Sequence, residues 1–271
     1  MRQSCVCFRR VRSAIRLAVS VFLVTSFVAS AAFGGDRVRI TNGEWPPYLS
    51  RDLPHYGIAS RIVSEAFARE GIAVEYGFFP WRRGYEYALS GEWDGTAVWL
   101  RNPERDAAFH VSAPIVMSRY VFFHLKSFPF SWRTTKDLRG LLIGATRGYD
   151  YGEAFMTAAR TGAIALEYSS SDEQNFARLL AGRIHLFPID EQVGQAMLAK
   201  HFAPAEVARL THDRKPLRED ALHLLLSRKV AGNDARMVRF NRGLEALRKQ
   251  GVVQRYLDEG MRAAPSPAPA R

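Results

Sequence analysis

The chain has 271 residues, with 38 lysines and arginines against 27 aspartates and glutamates, and a formal net charge of +11. This excess of positive charge does not indicate a nucleic-acid-binding protein, because no dense stripe of basic residues interleaved with aromatic residues occurs. The length is sufficient for a large buried core in one or two lobes.

The N-terminal segment has the pattern of a secretory signal peptide. Several arginines and no acid precede an apolar run, Leu17–Val28, which is followed by a small-residue cleavage site at Ala29–Ala31. The apolar run is too short for a convincing membrane span. We therefore predict that residues 1–31 are a signal peptide and that the protein is periplasmic. Cys5 and Cys7 leave with this peptide, so no disulfide and no cysteine metal site is expected.

The rest of the chain alternates short apolar strands with segments of helical period, which predicts an α/β architecture. The first part is predicted to contain the strand Val38–Thr41, the helix Ser60–Glu70, the strand Val74–Phe78, the helix Trp81–Leu89 ended by Gly91, and the strand Thr96–Leu100. Further strands are predicted at Tyr120–His124, Leu141–Ala145, Ile184–Ile189 and Leu222–Leu226. Further helices are predicted from a capping box at Ser171 to Leu180, at Asp190–His201, through Met237–Leu247 and at Val252–Leu257.

These elements form two α/β series, and the last strand and helices can rejoin the first series. The pattern predicts two lobes, with lobe 1 formed by residues 36–120 and 222–262 and lobe 2 by residues 121–221. A cleft between two lobes is a natural ligand site that closes by hinge motion. A single three-layer domain would give the same periodicity and is the alternative. Residues 263–271, rich in Ala, Pro and Ser, are predicted to be a disordered tail.

One arginine follows the end of a predicted strand. Arg105 is expected in a loop behind Asn102, at a position where an open α/β sheet binds anions. Its guanidinium group matches a carboxylate through two parallel hydrogen bonds. The alternative is a solvated loop charge beside Glu104 and Asp106.

Five motifs in order carry a resemblance to a known family. They are GEWPPY, RIVSEAFAREGI, PWRRGYEYALSGEWDG, NPER followed by FHVSAPI, and LLAGRIHLFPIDE. From about Val38 to Gly260 the chain resembles the bacterial extracellular solute-binding proteins of family 3, the polar-amino-acid type that supplies ABC transporters. The resemblance implies an α/β, two-lobed periplasmic binding protein fold (type II, Venus-flytrap) with two hinge strands and a small-molecule ligand in the cleft. It also implies an inner-membrane ABC transporter permease as partner, and we expect a monomer without cofactor.

The resemblance also assigns site residues. It implies that Arg105 holds the α-carboxylate of an amino-acid-like ligand and that Asp190, from the other lobe, holds the α-ammonium group. The chain departs from the family pattern at Asn102, where threonine is usual, and at Trp99, which replaces a small residue. Bulky Tyr149 likewise stands in a loop that is usually glycine with serine or threonine. These departures imply a flatter or larger ligand.

Other candidate ligand-binding residues come from loop and strand ends. Trp45 and Tyr48 flank Pro46-Pro47 and would form either a stacking wall or part of the core. Thr146 and Arg147 follow a strand end and would offer backbone N–H groups and a cation to an anion, or serve only as an ordinary turn.

Metal-site and catalytic motifs do not occur in the sequence. The seven histidines are scattered without metal-ligand spacing, and no nucleophile motif is present, so we expect neither a metal site nor an enzyme. Two alternatives remain: a periplasmic enzyme on the same fold, similar to cyclohexadienyl dehydratase, and a non-transport accessory or sensing protein.

Overall fold

The computed structural model describes residues 36–262; the predicted signal peptide and the predicted tail lie outside them. The strands are β1 (Arg37–Asn42), β2 (Ala73–Phe78), β3 (Gly95–Leu100), β4 (Phe109–Val111), β5 (Val116–Leu125), β6 (Leu142–Thr146), β7 (Ala165–Ser169), β8 (Phe187–Asp190), β9 (Leu210–His212) and β10 (Arg218–Ser227). The helices are α1 (Ile58–Ala68), α2 (Trp81–Ser90), α3 (Pro103–Ala108), α4 (Glu153–Arg160), α5 (Asp172–Leu180), α6 (Glu191–His201), α7 (Pro204–Val207), α8 (Asn233–Lys249) and α9 (Val252–Arg262). Within this part of the chain no helix is long and apolar enough to cross a membrane.

Eight strands form one sheet. Its order is β2-β1-β3-β10-β5-β8, with β4 paired to β10 and β9 paired to β5. β1 is parallel to both β2 and β3, because α1 and α2 provide the crossover connections that parallel strands require. β6 and β7 form a separate parallel pair, which a bridge between Ile143 and Leu186 links to the segment preceding β8.

Two long strands join the two α/β series. β5 and β10 have ten residues each and pair antiparallel, from Tyr120 opposite Arg218 to Val116 opposite Leu222. β10 also pairs with β3 and β4, whereas β5 also pairs with β8 and β9. This pair of strands therefore connects the first α/β series with the second. The division of the chain into lobes at individual residues stays a prediction.

The largest buried cluster includes the contact between α1 and α8. The rings of Phe67 and Phe240 lie 4.9 Å apart there, and both side chains are fully buried. Gly243 allows the two helices to approach closely, because a Cβ atom at this position would lie 2.1 Å from the carbonyl oxygen of Ala66. A second buried cluster, which includes Phe122, Ile143 and Phe155, supports β6 and α4.

The structure agrees with most of the predicted elements and corrects others. Gly91 ends α2 in the left-handed conformation, with φ of 84°, as the sequence predicted. The predicted loop around Arg105 is wrong, because this residue lies in α3. The Asn102 side chain caps that helix by accepting the backbone N–H of Arg105 at 2.8 Å, and Pro103 occupies its first position.

Besides α3, five elements were not predicted, namely β4, α4, β7, α7 and β9, and one strand was predicted too long. α4 and β7 are short, with eight and five residues, and each has a single buried residue, Phe155 and Ser169 respectively. The strand predicted from Ile184 begins only at Phe187, although Ile184 and Leu186 are buried.

Candidate functional site

A cleft of about 630 Å³ lies between the loop after β1 and the helical face of α6. One wall is formed by residues 44–61 together with the end of α9, and the opposite wall by Tyr149, Asp172 and α6. Both α/β series therefore contribute to its lining. The volume falls within the range of small-molecule sites.

The loop after β1 presents one aromatic ring to the cleft and buries another. The backbone of Trp45 bonds to Leu49 in both directions, N–H to carbonyl at 2.7 Å and 3.0 Å, which closes the loop around a cis Pro46–Pro47 bond. The Trp45 and Tyr48 rings lie 4.8 Å apart, tilted by 31°. Trp45 is half-buried and lines the cleft, whereas Tyr48 is buried beneath it.

A buried carboxylate stands in the opposite wall. Asp172 is the first residue of α5 and is 6% exposed. One of its oxygens accepts the hydroxyl of Thr146, and the other accepts the hydroxyl of Tyr149 at 3.0 Å. The buried amide of Asn175 donates in turn to Thr146 at 3.0 Å. Burial raises the pKa of the Asp172 carboxyl, and the two hydroxyl donors oppose this shift.

The same carboxylate raises the pKa of Tyr149 further, after burial, which is the largest cause. Tyr149 is therefore a neutral donor at physiological pH, fixed on Asp172, with its side chain in the cleft wall. Thr146 lies behind Asp172 and is buried. Arg147 is exposed, and its guanidinium carbon lies 5.9 Å from the ring of Tyr168. It is not among the residues that line the cleft.

Asp190 is the N-cap of α6 and is 1% exposed. One oxygen accepts the backbone N–H groups of Gln192 and Val193 at 3.0 Å and 3.1 Å. The other accepts the Ser118 hydroxyl at 2.7 Å and the Arg119 N–H at 3.1 Å. Burial raises the pKa of Asp190 in spite of these four donors.

Tyr48 brings the loop after β1 close to this cap. Burial raises the pKa of Tyr48, and the nearby charge of Asp190 raises it further. Both residues lie beneath the cleft rather than in its lining. The loop that carries Trp45 therefore lies, at Tyr48, close to the N-cap of α6.

Arg105 lies against aromatic rings on the side of α2. Its Nη1 donates to the carbonyl oxygen of Leu100 at 2.6 Å, and its guanidinium carbon lies 4.9 Å from the Trp99 ring. The Trp99 ring also packs 4.9 Å from Tyr85, and its indole N–H donates to Thr96 at 2.8 Å. Arg105 forms no ion pair with any acid in the part of the chain that the structure describes.

Of the predicted ligand residues, Trp45 and Tyr149 line the cleft, on opposite walls. Thr146 lies behind Asp172, and Tyr48 and Asp190 lie beneath the lining. Arg105, Trp99 and Arg147 are not in this lining. Asp172 itself was missed, because the sequence assigned it only to the first turn of a capped helix. Within residues 36–262 no group of three potential metal-binding side chains occurs.

The sequence matches no known family model and no curated protein. Among solved structures, substrate-binding domain 2 of Lactococcus lactis GlnP, in an open conformation, is similar with a TM-score of 0.66 and 18% identity, covering 85% of this chain and 97% of that one. A histidine kinase sensor domain with similarity to periplasmic binding proteins has a TM-score of 0.62 and 17% identity, over 82% and 95% of the two chains. The Streptococcus pneumoniae amino acid ABC transporter substrate-binding protein AbpA, bound to L-arginine, has a TM-score of 0.60 and 14% identity, over 84% and 95%. The chain therefore has the two-lobed α/β fold of periplasmic binding proteins, as the resemblance implied.

Proposed function

We propose that the protein is a periplasmic solute-binding protein that captures a small, polar, amino-acid-like solute between its lobes and delivers it to an ABC transporter permease. The observation that carries this proposal is the cleft, which has an aromatic wall at Trp45 and a polar wall at Asp172 and Tyr149. A ligand that contacts both walls is bound more tightly when the lobes close on it, which couples binding to hinge motion.

The similar structures support this proposal. GlnP domain 2 is a substrate-binding domain, and AbpA belongs to an amino acid ABC transporter and holds L-arginine. The predicted signal peptide agrees with a protein that works outside the cytoplasm. The role of Arg105 as a carboxylate anchor remains part of the proposal, since no acid among the described residues pairs with its guanidinium group. Because Arg105 lies outside the lining of the cleft, this role requires the carboxylate of the solute to reach beyond that lining.

Thermal unfolding in the presence of candidate solutes tests the proposal. Amino acids, opines, small organic acids and amines should be screened, because a ligand at 100 times its Kd stabilises the folded state by about 2.7 kcal/mol. At least one class should raise the Tm of the wild type, and Trp45→Ala should reduce the shift. If no solute raises the Tm and none copurifies with the protein, the proposed function is refuted.

A second candidate is a periplasmic enzyme on the same scaffold. The observation that favours it is Asp172, a cleft carboxyl whose pKa is raised by burial, as in groups that transfer protons. Incubation of the purified protein with prephenate or arogenate tests it. Turnover that is lost in Asp172→Asn would favour the enzyme, and the absence of turnover would leave the binding protein.

A further inference from the structure

The cleft contains a buried carboxyl group, that of Asp172, which no cation in residues 36–262 pairs with. Asp172 forms no ion pair within residues 36–262, and the groups that lower its pKa are hydroxyls rather than lysine or arginine. The cleft-lining cation on α1, Arg61, is engaged elsewhere. It bonds to Glu259 at 2.6 Å, and its guanidinium carbon lies 3.7 Å from the ring of Tyr256. Lys200, on α6, lines the cleft but is exposed and forms no ion pair with Asp172.

The two buried carboxylates near the cleft differ in their free hydrogen-bonding capacity. A carboxylate has about four lone-pair positions. Asp190 receives four donors from Gln192, Val193, Ser118 and Arg119, so its capacity is filled by the protein. Asp172 receives only two, and it lines the cleft. An incoming donor therefore finds open acceptor positions at Asp172 and none at Asp190.

The surroundings of Asp172 hold the carboxylate in place and leave one direction open. The relay from Asn175 through Thr146 fixes one oxygen, and Tyr149 fixes the other. Across the cleft, Trp45 offers an aromatic face, which attracts cations and apolar groups. Two further acids of the lining, Glu44 and Asp52, are exposed, and Glu44 is paired with Arg51 at 3.6 Å.

We propose that Asp172 is the charge-recognition residue of the cleft and binds an ammonium or guanidinium group of the solute, whose apolar or planar body lies against Trp45. This inference rests on the proposed solute-binding function. It narrows the substrate class to organic cations and to zwitterions that are held by their cationic end. A solute that carries only negative charge would meet an uncompensated buried carboxylate and is excluded.

Isothermal titration with matched probes tests the inference. Phenethylamine, phenylalanine and 3-phenylpropionate share one ring and differ in charge, and agmatine adds a guanidinium group. We expect at least one of agmatine and phenethylamine to bind and 3-phenylpropionate not to bind. Binding of phenylalanine, which carries both charges, is compatible with the inference. Asp172→Asn should weaken binding of the amine about 30-fold or more, because it leaves a buried cation without its partner.

A neighbouring acid gives the matched control. Glu173 follows Asp172 on the same helix, is exposed and does not line the cleft. Glu173→Gln changes the net charge equally and should leave the affinity within about 3-fold, as exposed charges contribute little. Tyr149→Phe removes one donor from the carboxylate without removing its charge. It should therefore lower the affinity for the amine much less than Asp172→Asn does.

The outcomes separate the inference from the function on which it rests. Binding of 3-phenylpropionate comparable to that of phenethylamine, or an Asp172→Asn variant that keeps its affinity for the amine, overturns the inference and leaves solute binding intact. If a solute of the thermal screen binds but neither phenethylamine nor agmatine does, the inference is overturned and solute binding stands. If no solute of the screen raises the Tm, none of the four probes binds and no solute copurifies with the wild type, the proposed function fails and the inference fails with it. Circular dichroism of each variant establishes that a lost affinity does not reflect an unfolded protein.

Discussion

Replacing Asp190 by alanine removes a structural cap, and we expect a large loss of stability. The carboxylate caps α6 through the N–H groups of Gln192 and Val193, a contribution of about 1 kcal/mol for an N-cap. It also satisfies the Ser118 hydroxyl and the Arg119 N–H. Each buried donor left without an acceptor costs about 1 kcal/mol or more.

The cap and the two unpaired donors together contribute about 3 kcal/mol or more. Two effects reduce the loss, since the Ser118 hydroxyl can rotate to another acceptor and the cost of the buried charge disappears, so we expect a net loss of about 3 kcal/mol. That is a large share of the roughly 5–15 kcal/mol that stabilises a typical domain. Urea unfolding followed by circular dichroism measures the difference. Asp190→Asn is the matched variant, because asparagine caps helices nearly as well as aspartate, and we expect it to lose only about 1 kcal/mol.

A free energy of unfolding for Asp190→Ala within about 0.5 kcal/mol of the wild type would refute this account of the cap. A variant that keeps its stability and loses its affinity for amines would make Asp190 the ligand group that the family resemblance implied. The two results distinguish a carboxylate whose hydrogen bonds are all made within the protein from one that binds a solute.

Other predictions concern packing, pH and the ligand contacts. Gly243→Ala should lower the free energy of unfolding by about 3 kcal/mol, measured in urea, because its new methyl group meets the Ala66 carbonyl and the backbone must shift. The raised folded pKa of Asp172 means that its stabilising contribution is present below its unfolded pKa and is lost as the pH rises through the folded value. The stability of the wild type relative to Asp172→Asn should therefore fall as the pH rises above about 4, the ordinary pKa of an aspartate, and a difference that is constant or rises would contradict the raised pKa of the buried carboxyl. Trp45→Ala should lower the affinity for the best amine probe about 10-fold, measured by calorimetry. An unchanged affinity would show that the solute binds elsewhere. Arg105→Ala should lower the affinity for a carboxylate-bearing solute about 10-fold or more and leave the affinity for a plain amine unchanged. If the variant binds the carboxylate-bearing solute as tightly as the wild type does, Arg105 does not have its proposed role.

The fold was predictable because its elements have strong local patterns. Gly91 ends a helix where a left-handed residue is required, and the apolar run at Leu222–Leu226 forms the centre of the long strand β10. The short helix around Arg105 was not predicted, because its cap depends on one side chain, that of Asn102, and on proline at the next position. α4 and β7 escaped prediction because they are short, with eight and five residues, and each buries only one of them.

The site was less predictable because its chemistry depends on long-range contacts. Asp172 has the sequence pattern of an ordinary first-turn acid, and only the approach of Thr146 and Tyr149 makes it a buried cleft carboxylate. The sequence equally did not show that Asp190 is occupied by four donors, two of which come from β5. Trp45 was recognisable as a wall candidate, since its loop contains two consecutive prolines.

Hydrogen–deuterium exchange with and without the probe that gives the largest thermal shift tests the central claim most directly. If a solute binds between the lobes, amides in residues 44–57 and in α5 and α6 should become protected together, because each wall contacts the same molecule. Protection confined to one wall, or found only away from both, would contradict a solute site between the lobes.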